Sequence, residues 1–174
     1  DEVHRSGFPI PLLTLNTVGP TLMKFGTDAQ RADYLPRILR GEIEFSIGYT
    51  EPGAGTDLAA ISTRAVREGD DYVITGQKIF CSLADYTDYL WLAVRTNPDA
   101  RHAGISILIV PMRSPGITTT PIRNLGDNNI HAVYLDEVRV PADNLVGAEN
   151  GGWHLITSQL NYERIALMMV GPLQ

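Results

Sequence analysis

The densest chemistry in the chain lies in Ile47-Gly48-Tyr49-Thr50-Glu51-Pro52-Gly53-Ala54-Gly55-Thr56-Asp57. A strand-like segment there runs into a Pro-Gly turn, whose glycines permit φ > 0 and expose backbone N–H groups. Thr50 and Thr56 add hydroxyls on either side. Such a loop can hold a planar polar ring or an oxyanion, although an ordinary hairpin turn has the same composition. A dinucleotide fingerprint does not fit, because Gly53-x-Gly55 lacks the third glycine and no βαβ unit surrounds it. His4, His102, His131 and His154 lie far apart without metal-ligand spacing, so no metal site is expected. The lone Cys81 rules out an internal disulfide and suits a reducing compartment.

Composition narrows the partners. With 174 residues, 44% hydrophobic and 20% charged, the chain has an ordinary soluble globular balance. A net charge of −6 argues against a nucleic-acid partner, which needs a concentrated basic surface. No apolar run approaches the roughly 20 residues needed to span a bilayer. The charged opening Asp1-Glu2-Val3-His4-Arg5 is not a signal peptide.

The elements that must position the loop follow from periodicity. The first forty residues read helical, with Leu12, Leu13, Leu15, Val18, Leu22, Met23 and Phe25 on a broad apolar face that Gly19-Pro20 must bend or interrupt. Thr27-Asp28-Ala29-Gln30 has the form of a capping box. The helix it opens is expected to turn Tyr34, Leu35, Ile38 and Leu39 inward and Arg31, Arg37 and Arg40 outward. Pro36 disfavours one continuous helix and predicts two short turns ending near Gly41. From Glu44 the period changes to that of strands. Candidates are Phe45–Tyr49, Ser62–Val66, Tyr72–Thr75, Tyr89–Val94, Ile105–Val110, Ile117–Thr120 and Ala132–Val138. Short strands separated by turn chemistry, with no intervening helical pattern, predict an antiparallel β-barrel or sandwich. A helical pattern returns at about Gly152 and continues to Gly171-Pro172, and a terminal helix with nothing to pack back on it suggests a piece of a longer protein.

Thr50-Glu51-Pro52-Gly53-Ala54-Gly55-Thr56-Asp57 resembles the T-E-P-x-x-G-[ST]-D motif of the acyl-CoA dehydrogenase family at every fixed position. Further family-like segments follow in order. Gly26–Gln30, Tyr34-Leu35-Pro36 and Gly41-Glu42 resemble the end of the family's N-terminal helical domain, and Gly76-Gln77-Lys78-Ile79 resembles its turn and strand leading to the flavin. Pro115-Gly116-Ile117, Asp136–Pro141 and Leu145-Val146-Gly147 resemble the last strands of its β-domain. The resemblance spans essentially the whole chain. It implies an α+β fold: an antiparallel β-barrel or sandwich domain over 43–147, the end of an N-terminal all-α domain over 1–42, and the first helix of a truncated C-terminal all-α domain over 148–174.

It also implies an activity. FAD would oxidise an acyl-CoA thioester to the trans-2-enoyl-CoA, with a carboxylate removing the α-proton and electrons passing to an electron-transferring flavoprotein. That chemistry belongs to fatty acid metabolism and lipid degradation. The parent would be a homo- or hetero-oligomer, cytoplasmic if bacterial (the preferred reading) or in the mitochondrial matrix if eukaryotic, and the fragment itself inactive. Two alternatives stay open: an acyl-CoA oxidase or flavin monooxygenase on the same scaffold, and a non-catalytic subunit of a heteromeric dehydrogenase.

Carried over position by position, Tyr49 and Thr50 resemble residues on the pyrimidine side of the flavin, and Gly55 and Thr56 belong to the same cofactor loop. Thr56 also resembles a residue touching the CoA arm. Phe80-Cys81-Ser82 resembles the aromatic-x-hydroxyl segment along the isoalloxazine, with Ser82 in place of the commoner Thr. Their plain alternatives are a core aromatic for Phe80, a small buried hydrophobe for Cys81 and a strand-end cap for Ser82. Glu163 matches the catalytic base of a minority of the family, including isovaleryl-CoA and long-chain enzymes; in most members the base lies on a later helix. A solvated carboxylate, or one paired with a nearby Arg, is the other reading. Asn161 and Arg164 are implied on the substrate side. One departure stands out: where many members carry a Ser-x-Thr element for the flavin pyrophosphate, this chain has the shorter Asp127-Asn128-Asn129-Ile130-His131-Ala132. Asn128, Asn129 or His131 could stand in, or flavin would bind poorly.

Overall fold

The N-terminal helical run is not broken at Gly19-Pro20 but re-registered. In the computed structural model, a π-helical turn over Thr14–Val18 leads directly into α1 (Gly19–Phe25), and Gly19 N–H donates back to the Thr14 carbonyl. Widening the helix one step ahead of Pro20 places the proline in the first turn of α1, where its missing N–H is not needed. Described are residues 11–125 and 129–170, without the side chains of 165–170. The Asp1–Arg5 opening, Gly126–Asn128 and the Gly171-Pro172 stop lie outside the described residues.

The capping box forms as its spacing predicts. Thr27 N–H donates to Gln30 Oε1 and Gln30 N–H to Thr27 Oγ1, both at 3.1 Å. The helix it starts, α2 (Asp28–Leu39), is one continuous element through Pro36, against the expectation of two short turns. Proline there removes a single bond, to the carbonyl of Ala32, which is exposed and can be served by water. Leu39 is a second correction: it follows the buried Ile38 and is turned outward, 79% exposed.

Eight strands follow: β1 (Phe45–Gly48), β2 (Arg64–Glu68), β3 (Asp71–Ser82), β4 (Tyr89–Arg95), β5 (Ile105–Pro111), β6 (Ile117–Pro121), β7 (Ile130–Pro141) and β8 (Leu145–Val146). They form one sheet in the order β6-β7-β3-β2-β4-β5-β8, with β1 on β4. The sheet does not close, so the fold is α+β with a sandwich rather than a sealed barrel. Pairing is antiparallel except at β4, which β1 joins in parallel over Phe45–Gly48 and β2 meets in parallel at Arg64↔Arg95.

The two faces of β4 define two cores. Leu90, Leu92 and Val94 pack with Ile74, Cys81, Leu108, Val133 and Val138 between the two halves of the folded sheet. Trp91 and Ala93 point the other way, joining Val18, Leu22, Ile107, Leu155 and Ile156 under the helices. A strand fully buried on both faces reads as a continuous apolar run, as Tyr89–Val94 does. The helical layer is completed by α3 (Gly152–Val170), whose first residue is a glycine because a Cβ there would lie 2.8 Å from the Ile105 carbonyl oxygen.

Candidate active site

Glu51 and Lys78 form the foundation of the site. Lys78 is fully buried and its Nζ lies 2.8 Å from Glu51 Oε1, on a carboxylate side chain only 4% exposed. The same oxygen accepts from Thr63 N–H at 2.9 Å, while Oε2 accepts from the Ser62 N–H at 2.6 Å and its hydroxyl at 2.7 Å. Lys78 Nζ also donates to the Tyr49 carbonyl at 3.1 Å. Burial alone would raise the Glu51 carboxyl, but the Lys78 ammonium and the Ser62 and Thr63 donors outweigh it and hold it down at about 2. Burial pushes Lys78 down to about 8 against the opposing pull of Glu51. Sequence reasoning did not find this pair. The available signal was Lys78 standing where β3 otherwise turns apolar residues inward.

The loop above this pair is closed on itself by Glu51 N–H to Ala54 O (2.8 Å) and Ala54 N–H to Glu51 O (3.0 Å). Neither Gly53 nor Gly55 uses the positive φ that a glycine permits. A Cβ at Gly53 would meet nothing within 4 Å, and one at Gly55 only Thr50 Cγ2 at 3.7 Å. Packing within this chain does not require these glycines. They leave a bare loop that another molecule can approach closely.

β3 brings its half of the site up to the loop through an irregularity. Its register against β7 shifts between Gly76 and Ile74 and again between Lys78 and Cys81. Gly76, expected in a turn, therefore lies inside β3, where a Cβ would sit 2.6 Å from Thr63 Cα. At the second shift Ile79 N–H leaves the ladder and donates to the Thr50 carbonyl at 2.9 Å. Phe80 takes φ 60° and stands 58% exposed. A bulge of this kind re-aims a side chain, and a bulky residue at positive φ is a local cost that invites a functional reading.

These elements enclose a cleft of about 240 Å³ lined by Leu13, Ile47, Tyr49, Thr50, Ile79, Phe80, Ser82, Leu160 and Glu163. Five of the residues singled out from sequence thus converge: Tyr49, Thr50, Phe80, Ser82 and Glu163. Gly55 and Thr56 are exposed on the adjoining loop and do not line it. The Cys81 side chain is the small buried hydrophobe of its plain alternative, in the core between the sheet halves, where burial pushes the thiol up to about 12. Only its backbone can face the cleft. Asn161 and Arg164 are exposed, each one residue beyond a cleft-lining position, Leu160 and Glu163. Within the substitute segment, the Asn129 amide is occupied by Asp85 Oδ1 at 2.8 Å, and His131 is buried with Nε2 3.7 Å from Asp85 Oδ2. Among the described residues, His131 Nδ1 is buried without a hydrogen-bond partner.

Glu163 is partly buried, and burial raises its carboxyl above the usual range. Among the described residues it has no ion-pair partner. Tyr49 presents its ring to the cleft wall but sends its hydroxyl inward, where Trp91 Nε1–H donates to it at 3.0 Å and it donates to Gln159 Oε1.

A polar loop of bare glycines, an aromatic turned out on a bulge and a partly buried carboxylate thus meet at one cleft. Residues 46–138 match the family model of the acyl-CoA dehydrogenase middle domain. The acyl-CoA dehydrogenase FadE26 of Mycobacterium tuberculosis is 53% identical over 99% of this chain and 44% of its own length. Among solved structures, a Tcur3481-Tcur3483 steroid ACAD variant superposes with a TM-score of 0.92 at 58% identity, over 95% of this chain and 44% of that one. The ChsE4-ChsE5 complex from M. tuberculosis gives 0.87 at 55% identity, over 92% and 42%. The chain belongs to the acyl-CoA dehydrogenase family, and that membership implies a flavin cofactor. It spans about 44% of the length of the curated relatives it matches.

Proposed function

We propose that the protein containing this chain is an FAD-dependent dehydrogenase that oxidises an acyl-CoA thioester to the trans-2-enoyl-CoA and passes electrons to an electron-transferring flavoprotein. The supporting observation is the cleft, where Tyr49, Thr50, Phe80 and Ser82 face the partly buried Glu163. In this reading Thr50, Ser82, the backbone around Gly55 and Thr56, and the Phe80 ring would hold the flavin. When bound, FAD supplies the two-electron acceptor for the β-hydrogen. Glu163 accepts the α-proton, and its raised affinity for a proton suits that role because a base acts best when its pKa approaches the working pH. The apolar residues Leu13, Ile47 and Leu160 line the same cleft as the carboxylate. Thr56, Asn161 and Arg164 would serve the CoA side where further structure brings them to it.

Similarity to a steroid ACAD and to the ChsE4-ChsE5 complex supports a steroid-derived acyl-CoA and a hetero-oligomer as the finer reading. A cytoplasmic, bacterial setting and the division at 42/43 and 147/148 accompany it. The test uses the full-length protein. It should carry an FAD absorption spectrum, reduce electron-transferring flavoprotein rather than consume oxygen, and prefer a steroid side-chain thioester to a linear fatty acyl-CoA. E163Q should lower kcat by roughly 10²–10⁴-fold, the usual worth of a general base. Undiminished turnover in E163Q would place the base elsewhere, and a protein without flavin would be a non-catalytic subunit.

A further inference from the structure

One buried carboxamide has no part in the proposed chemistry and yet ties four elements together. Gln159 is fully buried on α3, one helical turn before Glu163. Its Oε1 accepts from the Tyr49 hydroxyl, which in turn accepts from Trp91 Nε1–H on β4 at 3.0 Å. Its Nε2 donates to Thr17 Oγ1 at 3.4 Å, and the Thr17 hydroxyl donates to the Leu13 carbonyl in the N-terminal helical run. Residues four apart share one helix face, so Gln159 and Glu163 turn together. The neighbouring contacts of α3, through Leu155 and Ile156, are apolar and non-directional.

We propose that Gln159 is a positioning residue for Glu163: clamped between Tyr49 and Thr17, it sets the rotation of α3 that aims the carboxylate into the cleft. The role rests on the reading of Glu163 as the base. Hydrogen bonds restrict rotation about the helix axis in a way that apolar packing alone does not. A misplacement of about 1 Å at a reacting group can cost on the order of 10²-fold in rate, so a small rotation suffices. Tyr49 thereby joins the two halves of the site, its ring lining the cleft while its hydroxyl holds the helix that carries Glu163.

The test uses Q159L and Y49F in the full-length holoenzyme, where Y49F removes the other end of the same bond with little loss of volume. Each variant should lower kcat about tenfold or more, with KM within about twofold, and the double variant should lose little beyond either single one. The primary isotope effect with α-deuterated substrate should rise, because proton removal becomes slower. Hydrogen–deuterium exchange should quicken in the amides around 156–166 while flavin content is kept. A lower melting temperature with unchanged kcat and isotope effect would overturn the positioning role, and unchanged exchange in both variants would overturn the clamp. E163Q separates the two claims. An inactive E163Q beside a fully active Q159L sinks only the inference, whereas an active E163Q sinks the assignment of the base.

Discussion

Lys78 and Glu51 carry the largest electrostatic stake at the scale of single residues. Both are removed from water, and each satisfies the other together with backbone and hydroxyl donors of Ser62 and Thr63. Removing one member leaves a buried charge without its partner, at a cost of about 3–5 kcal/mol. K78M in the full-length protein should therefore lower the unfolding free energy from chemical denaturation by that order, and it should also release the Thr50 loop and its flavin. The pH dependence has a definite sign. Glu51 is held at about 2, below the ordinary carboxylate value, so its contribution is complete above that ordinary value and is lost as pH falls towards 2. Stability measured by chemical denaturation should fall along an acid limb that E51Q flattens; an identical limb in E51Q would remove the pair from acid unfolding. Gly55 makes the opposite case. G55A meets only ordinary contact with Thr50, so stability should stay within about 0.5 kcal/mol while retention of flavin weakens. Equal flavin retention in G55A and wild type would show that the bare loop serves no ligand.

At the scale of elements, β3 is the piece on which the site depends. Its twelve residues pair with β2 and β7, and its two register shifts place Lys78 inward, Phe80 outward and Ile79 against Thr50. Gly76 makes the first shift possible, because Thr63 approaches too closely for any side chain. G76A should destabilise by about 1–3 kcal/mol through overpacking, read as a lower melting temperature. The loss should exceed that of T27A, which removes one capping bond worth about 1 kcal/mol. If G76A proved the milder of the two, the close approach to Thr63 would not constrain β3. The helix α2 continues through Pro36 near its C-terminal end, where the residue four positions earlier, Ala32, is exposed.

For the molecule as a whole, the cleft is assembled from the N-terminal helical run, β1, β3, the Thr50 loop and α3, which lie far apart in sequence. It is open on one side, with Phe80 58% exposed. The relatives that share this chain's fold are more than twice its length. We expect this chain alone to bind FAD at least tenfold more weakly than the full-length protein and to show no turnover, measured by flavin fluorescence titration and electron-transferring flavoprotein reduction. Tight binding by this chain alone would mean that the cleft described here already supplies the essential contacts.

Much of this was written in local sequence. The capping box at Thr27–Gln30, the alternation of the strands, the two-sided burial of β4 and the motif at Thr50–Asp57 each depend on neighbours a few residues away, so spacing reveals them. The convergence of Tyr49, Thr50, Phe80, Ser82 and Glu163 was legible only through family resemblance. Tertiary structure decided what local rules could not. It set Lys78 against Glu51 twenty-seven positions earlier and Gln159 against Tyr49 across 110. It turned Cys81 into the core and Leu39 out of it, and left Asn161 and Arg164 exposed. Buried polar groups must find partners wherever the fold supplies them, and the fold supplied these from distant segments.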